Sequence, residues 1–275
     1  MALLDGAWSR VDSWPVDHAS VAVVTGDGTF THGDIHRRQR IASVSKPLSA
    51  YACLIAVEEG SITLDDPVGQ EGCTVRHLLS HAGGYAFDGA TPVGKPGARR
   101  IYSNTGFDML AAHMEQATAM SFVDYLAEAV FAPLAMGDSA LEGSCAKDVW
   151  STTADLSAFL AELRAPRLVS RETFLDAVVP VFPDLSGIVP GVGSFDPCPW
   201  GLGFEIRGHK QPHWTGARNS PLTFGHFGGT GTFIWVDPIA DVAVAMLADR
   251  EFDEWGLAHW PDFNDEVLVA LGRAR

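Results

Sequence analysis

Apolar and polar positions change rhythm along the chain. Residues 20 to 30 (SVAVVTGDGTF) form a β-branched run broken by Gly26-Asp27-Gly28, which predicts a hairpin, with a further short strand before Ile41. From Ser43 to Glu59 the rhythm becomes helical. Leu48, Ala52 and Ile55 share one face, Pro47 falls near the first turn, where a missing N–H costs least, and Gly60 stands where a C-terminal cap belongs. A core helix is therefore predicted to begin at Ser43 or just after it.

Between 61 and 190 the pattern stays mostly helical, over 75–81, 105–118, 121–131, 153–163 and 171–179. Asp155 and Ser170 fit N-cap or first-turn positions, and Pro/Gly-rich connectors such as Thr91 to Gly97 separate the segments. Apolar runs of strand length return at 200–206, 230–236 and 242–248, and 263–273 reads as a closing helix. Strands at both ends with helices between them predict one sheet built from both termini, residues 1–60 with 191–275, carrying an inserted helical subdomain over 61–190.

Composition narrows the partners. The 275 residues are 47% apolar and 19% charged, as in a globular protein, and 28 glycines with 16 prolines are too few for a collagen-like or low-complexity chain. Nineteen basic against 34 acidic residues give a net charge of -15, a field that repels phosphate backbones and anionic headgroups, so neither nucleic acid nor a membrane surface is an expected partner. Cys53, Cys73, Cys145 and Cys198 form no Cys-x-x-Cys pair and read as scattered thiols of a reducing compartment. Met1 to Gly6 lacks the basic region and apolar stretch of a signal peptide, and no run approaches the roughly 18 residues of a membrane span, so a cytoplasmic location is expected. Oligomeric state leaves no pattern.

The chemistry follows partly from what is missing. Gly-x-Ser-x-Gly, Gly-x-x-x-x-Gly-Lys-Ser/Thr, His-Glu-x-x-His and Gly-x-Gly-x-x-Gly are all absent. Present instead is Ser43-Val44-Ser45-Lys46, at the start of the best-patterned helix. One turn brings Ser43 and Lys46 to one face, where a lysine pulled toward neutrality takes the hydroxyl proton and helix-end amides stabilise developing charge. Eighteen serines and four lysines allow such a pair by chance, and a second exists, Ser144-Cys145-Ala146-Lys147, but without a long apolar helix behind it. Tyr102-Ser103-Asn104 is the sole Tyr-x-Asn, behind a Pro96-Gly97 turn, and His226-Phe227-Gly228 lies in the run FGHFGGTGTFIWVDP. His77 and His81 have the i, i+4 spacing of a metal pair, but no third ligand is placed, so they are read as structural and no metal is expected. Trp200 and Trp235 are read as packing residues.

Ser-x-x-Lys, Tyr-x-Asn and a Lys/His-x-Gly strand, in that order, resemble the serine hydrolases related to class C β-lactamases, penicillin-binding proteins and family VIII esterases. The likeness extends over about residues 19 to 250 and includes EEGSITLDDPV, VRHLLSHAGG, YSNTGFDML through FAPLAM, and WGLGFEI. It implies an α/β (α+β) fold of β-lactamase/transpeptidase type, with an antiparallel sheet from both termini flanked by helices, an inserted all-helical subdomain and the active site in the cleft between them. It also implies that Ser43 is the acylated nucleophile and Lys46 its proton acceptor or electrostatic activator. Tyr102 becomes a proton shuttle whose pKa a neighbouring cation must lower, so either Lys46 or Tyr102 serves as base. Asn104 orients Lys46 and meets the substrate, and the backbone N–H groups of Ser43 and Gly229 form an oxyanion hole. Gly228 and Gly229 let substrate lie close to the strand. No cofactor is implied.

One departure from the family pattern bears on substrate. Where the lactamases carry Lys-Thr-Gly, this chain has His226-Phe227-Gly228, which weakens carboxylate recognition by one or two charge-assisted hydrogen bonds, each worth about 1.5–3 kcal/mol. Small esters or uncharged amides are therefore the expected substrates. The alternatives are a D-stereospecific peptidase, a β-lactamase or penicillin-binding activity, and a non-catalytic binding protein on the same fold. Arg207 or Arg218 is a candidate to restore the missing charge, and His226, if it meets an anion, is expected to raise KM as pH climbs through about 6.5. Ala135 stands where the family usually has Gly in a Pro-Leu-Gly-Met turn.

Overall fold

The computed structural model describes residues 3 to 274. Helix α1 (Asp5–Asp12) leads into β1 (Ala19–Thr25) and β2 (Gly28–His32), followed by β3 (Gln39–Arg40), a 3-10 turn over Ala42–Val44 and helix α2 (Ser45–Glu58). The middle of the chain holds α3 (Val75–Leu79), α4 (Asn104–Thr118), α5 (Phe122–Leu126) continued by a π turn over Ala127–Phe131, β4 (Ala140–Leu141), β5 (Val149–Ser151), α6 (Thr153–Arg164) and α7 (Arg171–Ala177). After the ribbon of β6 (Gly187–Val189) and β7 (Gly193–Phe195) come β8 (Glu205–Ile206), β9 (Phe224–Gly228), β10 (Thr232–Asp237), β11 (Val242–Ala248) and α8 (Glu254–Ala270).

Both ends of the chain build one antiparallel sheet in the order β2-β1-β11-β10-β9-β8. Its centre is fixed by the β1/β11 register, with Val21 opposite Met246 and Val23 opposite Val244. Every residue of β10 and β11 is buried, because helices cover both faces. On one face Trp14, Trp260, Phe263 and Val267 pack with Val23, Phe233 and Trp235. On the other, Ile234, Val236, Ala243 and Ala245 meet the core of α2 and α6. A strand buried on both sides has no polar face to alternate with, which is why 242–248 reads as a continuous apolar run.

Several elements differ from the sequence expectation. Helix α8 starts at Glu254, well before 263, with Asp253 capping the Trp255 N–H and Pro261 inside the helix. Of 200–206 only Glu205–Ile206 is strand. Gly203 has φ +88°, and a side chain there would strike Ala50 of α2. The segment 61–190 carries the short strands β4 and β5, which join β3 in a separate sheet, and α6 lies against β1 and β11 of the main sheet. Ala135, the departure noted in the Pro-Leu-Gly-Met turn, has φ +55°, a region where a Cβ costs about 1–2 kcal/mol. Among the described residues no helix is long and apolar enough to cross a membrane.

Candidate active site

Ser43 does not sit inside α2 but in the 3-10 turn before it, directly after Ala42, whose φ of +47° is strained for a residue with a Cβ. The strain is held from several sides. Ser45 Oγ donates to the Ala42 carbonyl at 2.6 Å and accepts from the Val149 N–H at 3.1 Å. Thr232 Oγ1 donates to the Ile41 carbonyl at 2.9 Å, and Thr230 Oγ1 to the Arg40 carbonyl at 3.0 Å. A Cβ on Gly228 would collide with the Ile41 carbonyl and Thr232. Gly228 thus makes room for the turn that carries Ser43 rather than for substrate, whereas Gly229 faces open space with nothing within 4 Å of its missing side chain.

One helical turn on, Lys46 is fully buried. Its Nζ donates to Asn104 Oδ1 at 2.7 Å and to the Ala146 carbonyl at 3.0 Å, and stands 3.4 Å from Ser43 Oγ. Burial pushes the Lys46 pKa down to about 7, against opposing contributions from Cys145 and Asp108. A neutral amine has two N–H groups and one lone pair. Asn104 and Ala146 take the two donors, so the lone pair is left facing the serine hydroxyl. Asn104 opens α4, whose N-cap Ser103 accepts from the Gly106 N–H at 3.1 Å, and its Nδ2 donates to Asp88 Oδ1 at 3.2 Å, which turns Oδ1 toward Lys46.

Tyr102 lines the same cavity as Ser43, its hydroxyl lies 3.4 Å from His226 Nε2, and its ring sits under Lys46 Nζ, 4.6 Å from the ring centroid. Its acidity is opposite to the expectation, because burial raises the phenol well above its ordinary value and outweighs the opposing effect of nearby Ser43. Tyr102 therefore stays protonated. His226 Nδ1–H donates to the Phe227 carbonyl at 2.6 Å, leaving Nε2 an acceptor, and burial followed by the Lys46 charge lowers its pKa to about 3. The imidazole is neutral across the physiological range, which removes the expected titration of KM near 6.5.

Other groups that shape the site carry weak sequence signals. Arg100, two residues before Tyr102, is buried and spends its guanidinium on the carbonyls of Cys198 at 2.7 Å, Val181 at 2.8 Å, Phe182 at 3.1 Å and Ser80, clamping the Tyr102 segment in place. His81, at φ +56°, accepts the Ser103 N–H on Nδ1 at 3.2 Å and packs its ring 4.4 Å from Tyr102. Burial keeps it neutral, with a pKa far below the ordinary value. His77 lies apart, bonded to Thr74 and stacked on Phe182. Arg207 bonds the carbonyls of Gly216 and Gly208, the Arg218 backbone bonds Asp265, and neither lines the cavity. Ser144, of the second Ser-x-x-Lys, donates to Asp108 at 2.5 Å.

Ser43, Tyr102, His226 and Gly229 meet in a cavity of about 240 Å³ walled by Phe87, Trp200, Phe227 and Phe252. Trp200 is thus a wall as well as a packing residue, while Trp235 is buried and bonded to Asn264 at 2.8 Å. Ser43, His226 and Gly229 come from the flanking segments 1–60 and 191–275, and Tyr102 and Asn104 from 61–190. A second cavity of about 490 Å³ shares Phe87, Tyr102 and Pro190 with the first.

A family profile described as beta-lactamase matches residues 19–268. A crystal structure from Mycobacterium bovis described as a beta-lactamase is 46% identical, with a TM-score of 0.95 over 96% of this chain and 99% of that one. Penicillin-binding protein 4* of Bacillus subtilis is 27% identical over 132 residues, 36% of this chain and only 29% of that protein. A D-stereospecific amidohydrolase from a Streptomyces species shares the fold, with a TM-score of 0.72 at 20% identity over 93% of this chain and 96% of that one.

Proposed function

The chain belongs to the β-lactamase family, and from that premise we propose that it is a serine hydrolase cleaving small esters or uncharged amides through an acyl-enzyme on Ser43. One observation carries the reading: a fully buried lysine, its pKa pushed down by that burial to about 7, donates to Asn104 and Ala146 and stands 3.4 Å from Ser43 Oγ. Lys46 takes the hydroxyl proton as Oγ attacks the carbonyl carbon. The carbonyl electron pair moves onto oxygen, where the N–H groups of Ser43 and Gly229 receive it. The bond to the leaving group then breaks, the departing atom takes the proton of the Tyr102 hydroxyl, and Lys46 returns the proton it collected to Tyr102. Water repeats the sequence on the acyl-enzyme and frees the acid. Asn104 is the positioning residue that fixes the lysine.

Neutral substrates are favoured because the strand beside the serine offers no charge. His226 is uncharged and Phe227 has no donor, so a carboxylate next to the scissile bond gains neither of the charge-assisted bonds worth about 1.5–3 kcal/mol each.

Intact-protein mass after exposure to an alkyl fluorophosphonate tests the assignment. Wild type and Ser144→Ala are expected to take one adduct and Ser43→Ala none. An adduct that survives in Ser43→Ala, or none in any of the three, contradicts it.

A further inference from the structure

We propose that the second cavity is a subsite for a substrate arm that is apolar along its length and ends in a carboxylate, held by Lys95 and Arg99. This deepens the hydrolase reading and rests on it. The cavity, about 490 Å³, falls within the roughly 300–1,000 Å³ of small-molecule sites and shares Phe87, Tyr102 and Pro190 with the chamber that holds Ser43. An arm that enters it leaves the scissile bond at the serine.

The walls say what the arm is. Val93, Ile188 and Phe87 are 61%, 50% and 49% exposed, so three of the large apolar side chains left open to solvent gather around this one opening. Burying them against a hydrocarbon arm recovers that surface. Lys95 and Arg99 also line it and are exposed, and among the described residues neither side chain has an ion pair or hydrogen bond. In a chain of net charge -15, where Arg37, Arg38 and Arg164 each find a carboxylate, two unpaired cations at one apolar mouth form a local anion site. Arg99 supplies the planar fork that suits a carboxylate. The neighbouring Arg100 spends its donors on backbone carbonyls rather than on a ligand, and its clamp fixes the segment that carries Arg99 and Tyr102. Anion recognition, missing beside the serine where His226 is neutral, is thus relocated to the adjoining cavity.

The test compares matched esters. On the acyl side these are p-nitrophenyl octanoate and the mono-p-nitrophenyl ester of suberic acid. On the alcohol side they are octyl acetate and 8-acetoxyoctanoate. In at least one pair the carboxylate substrate is expected to have a kcat/KM higher by about 3- to 20-fold, the range two exposed charge contacts supply. In Lys95→Gln/Arg99→Gln that ratio is expected to fall toward one, and in Lys95→Glu/Arg99→Glu to invert. A ratio near one in both pairs for the wild type, or a preference that survives in both double variants, overturns the subsite. Fluorophosphonate labelling separates the failures. Ser43 labelled with no carboxylate preference sinks the subsite alone, whereas no labelling and no turnover of any ester sinks the hydrolase reading and the subsite with it.

Discussion

Two lysines are buried in this molecule, and they behave in opposite ways. Lys210 donates to Glu205 Oε1 at 2.6 Å, and Glu205 also accepts from Trp214 Nε1 at 2.8 Å and lies 3.1 Å from His213 Nε2. Burial alone would raise the Glu205 carboxyl, but Lys210 and His213 hold it well below its ordinary value, so the pair is a locked ion pair. Lys46, equally enclosed, has only neutral groups at hydrogen-bond distance, Asn104 Oδ1, the Ala146 carbonyl and Ser43 Oγ, and burial takes its pKa to about 7. Both ammonium groups lie within 6 Å of an aromatic ring centroid, Tyr102 for Lys46 and Trp200 for Lys210. Burial does not make a lysine reactive when a carboxylate is in contact. Burial among neutral partners leaves an amine able to lose its proton.

The comparison breaks most sharply at Lys46. In Lys46→Arg the guanidinium keeps its charge at any working pH, so the rate of Ser43 acylation is expected to fall by about 10²–10⁴-fold, the usual worth of a positioned base. Retention of activity within about tenfold, read by stopped-flow fluorophosphonate labelling, would make the lysine a mere electrostatic neighbour. At the other lysine the effect is expected in stability. Glu205→Gln leaves the Lys210 charge buried without its counter-ion, at a cost of about 3–5 kcal/mol in urea unfolding. The double variant Glu205→Gln/Lys210→Met is expected to recover most of that. A loss below about 1 kcal/mol for Glu205→Gln would mean that the pair is not the locked contact described.

What could be read from the sequence divides along similar lines. The central strands and α2 were visible because their burial is written in local apolar runs. Helix α8 reads as starting late because Pro261 and Gly256 interrupt its pattern, and β9 is hidden in rhythm because FGHFG carries two glycines that read as turns. The residues Ser43, Lys46, Tyr102, Asn104 and His226 were legible from spacing and resemblance. Their electrostatics were not. The protonation of Lys46, Tyr102 and His226 is set by how deeply each is enclosed and by groups remote in sequence such as Ala146 and Cys145. Sequence alone points Gly228 toward substrate because its close contact with Ile41 exists only once β9 meets the turn. Lys95 and Arg99 sit in or beside a Pro/Gly-rich connector with no periodicity to mark them.

The most direct test of the lysine base is the second-order rate of Ser43 acylation by a fluorophosphonate, from about pH 5.5 to about pH 9.5. Protonated Lys46 cannot accept the serine proton, so the rate is expected to rise about tenfold per pH unit and level off as pH passes the Lys46 pKa of about 7. A rate that is flat across the range, or that keeps rising beyond pH 9, would show that Lys46 is not the base.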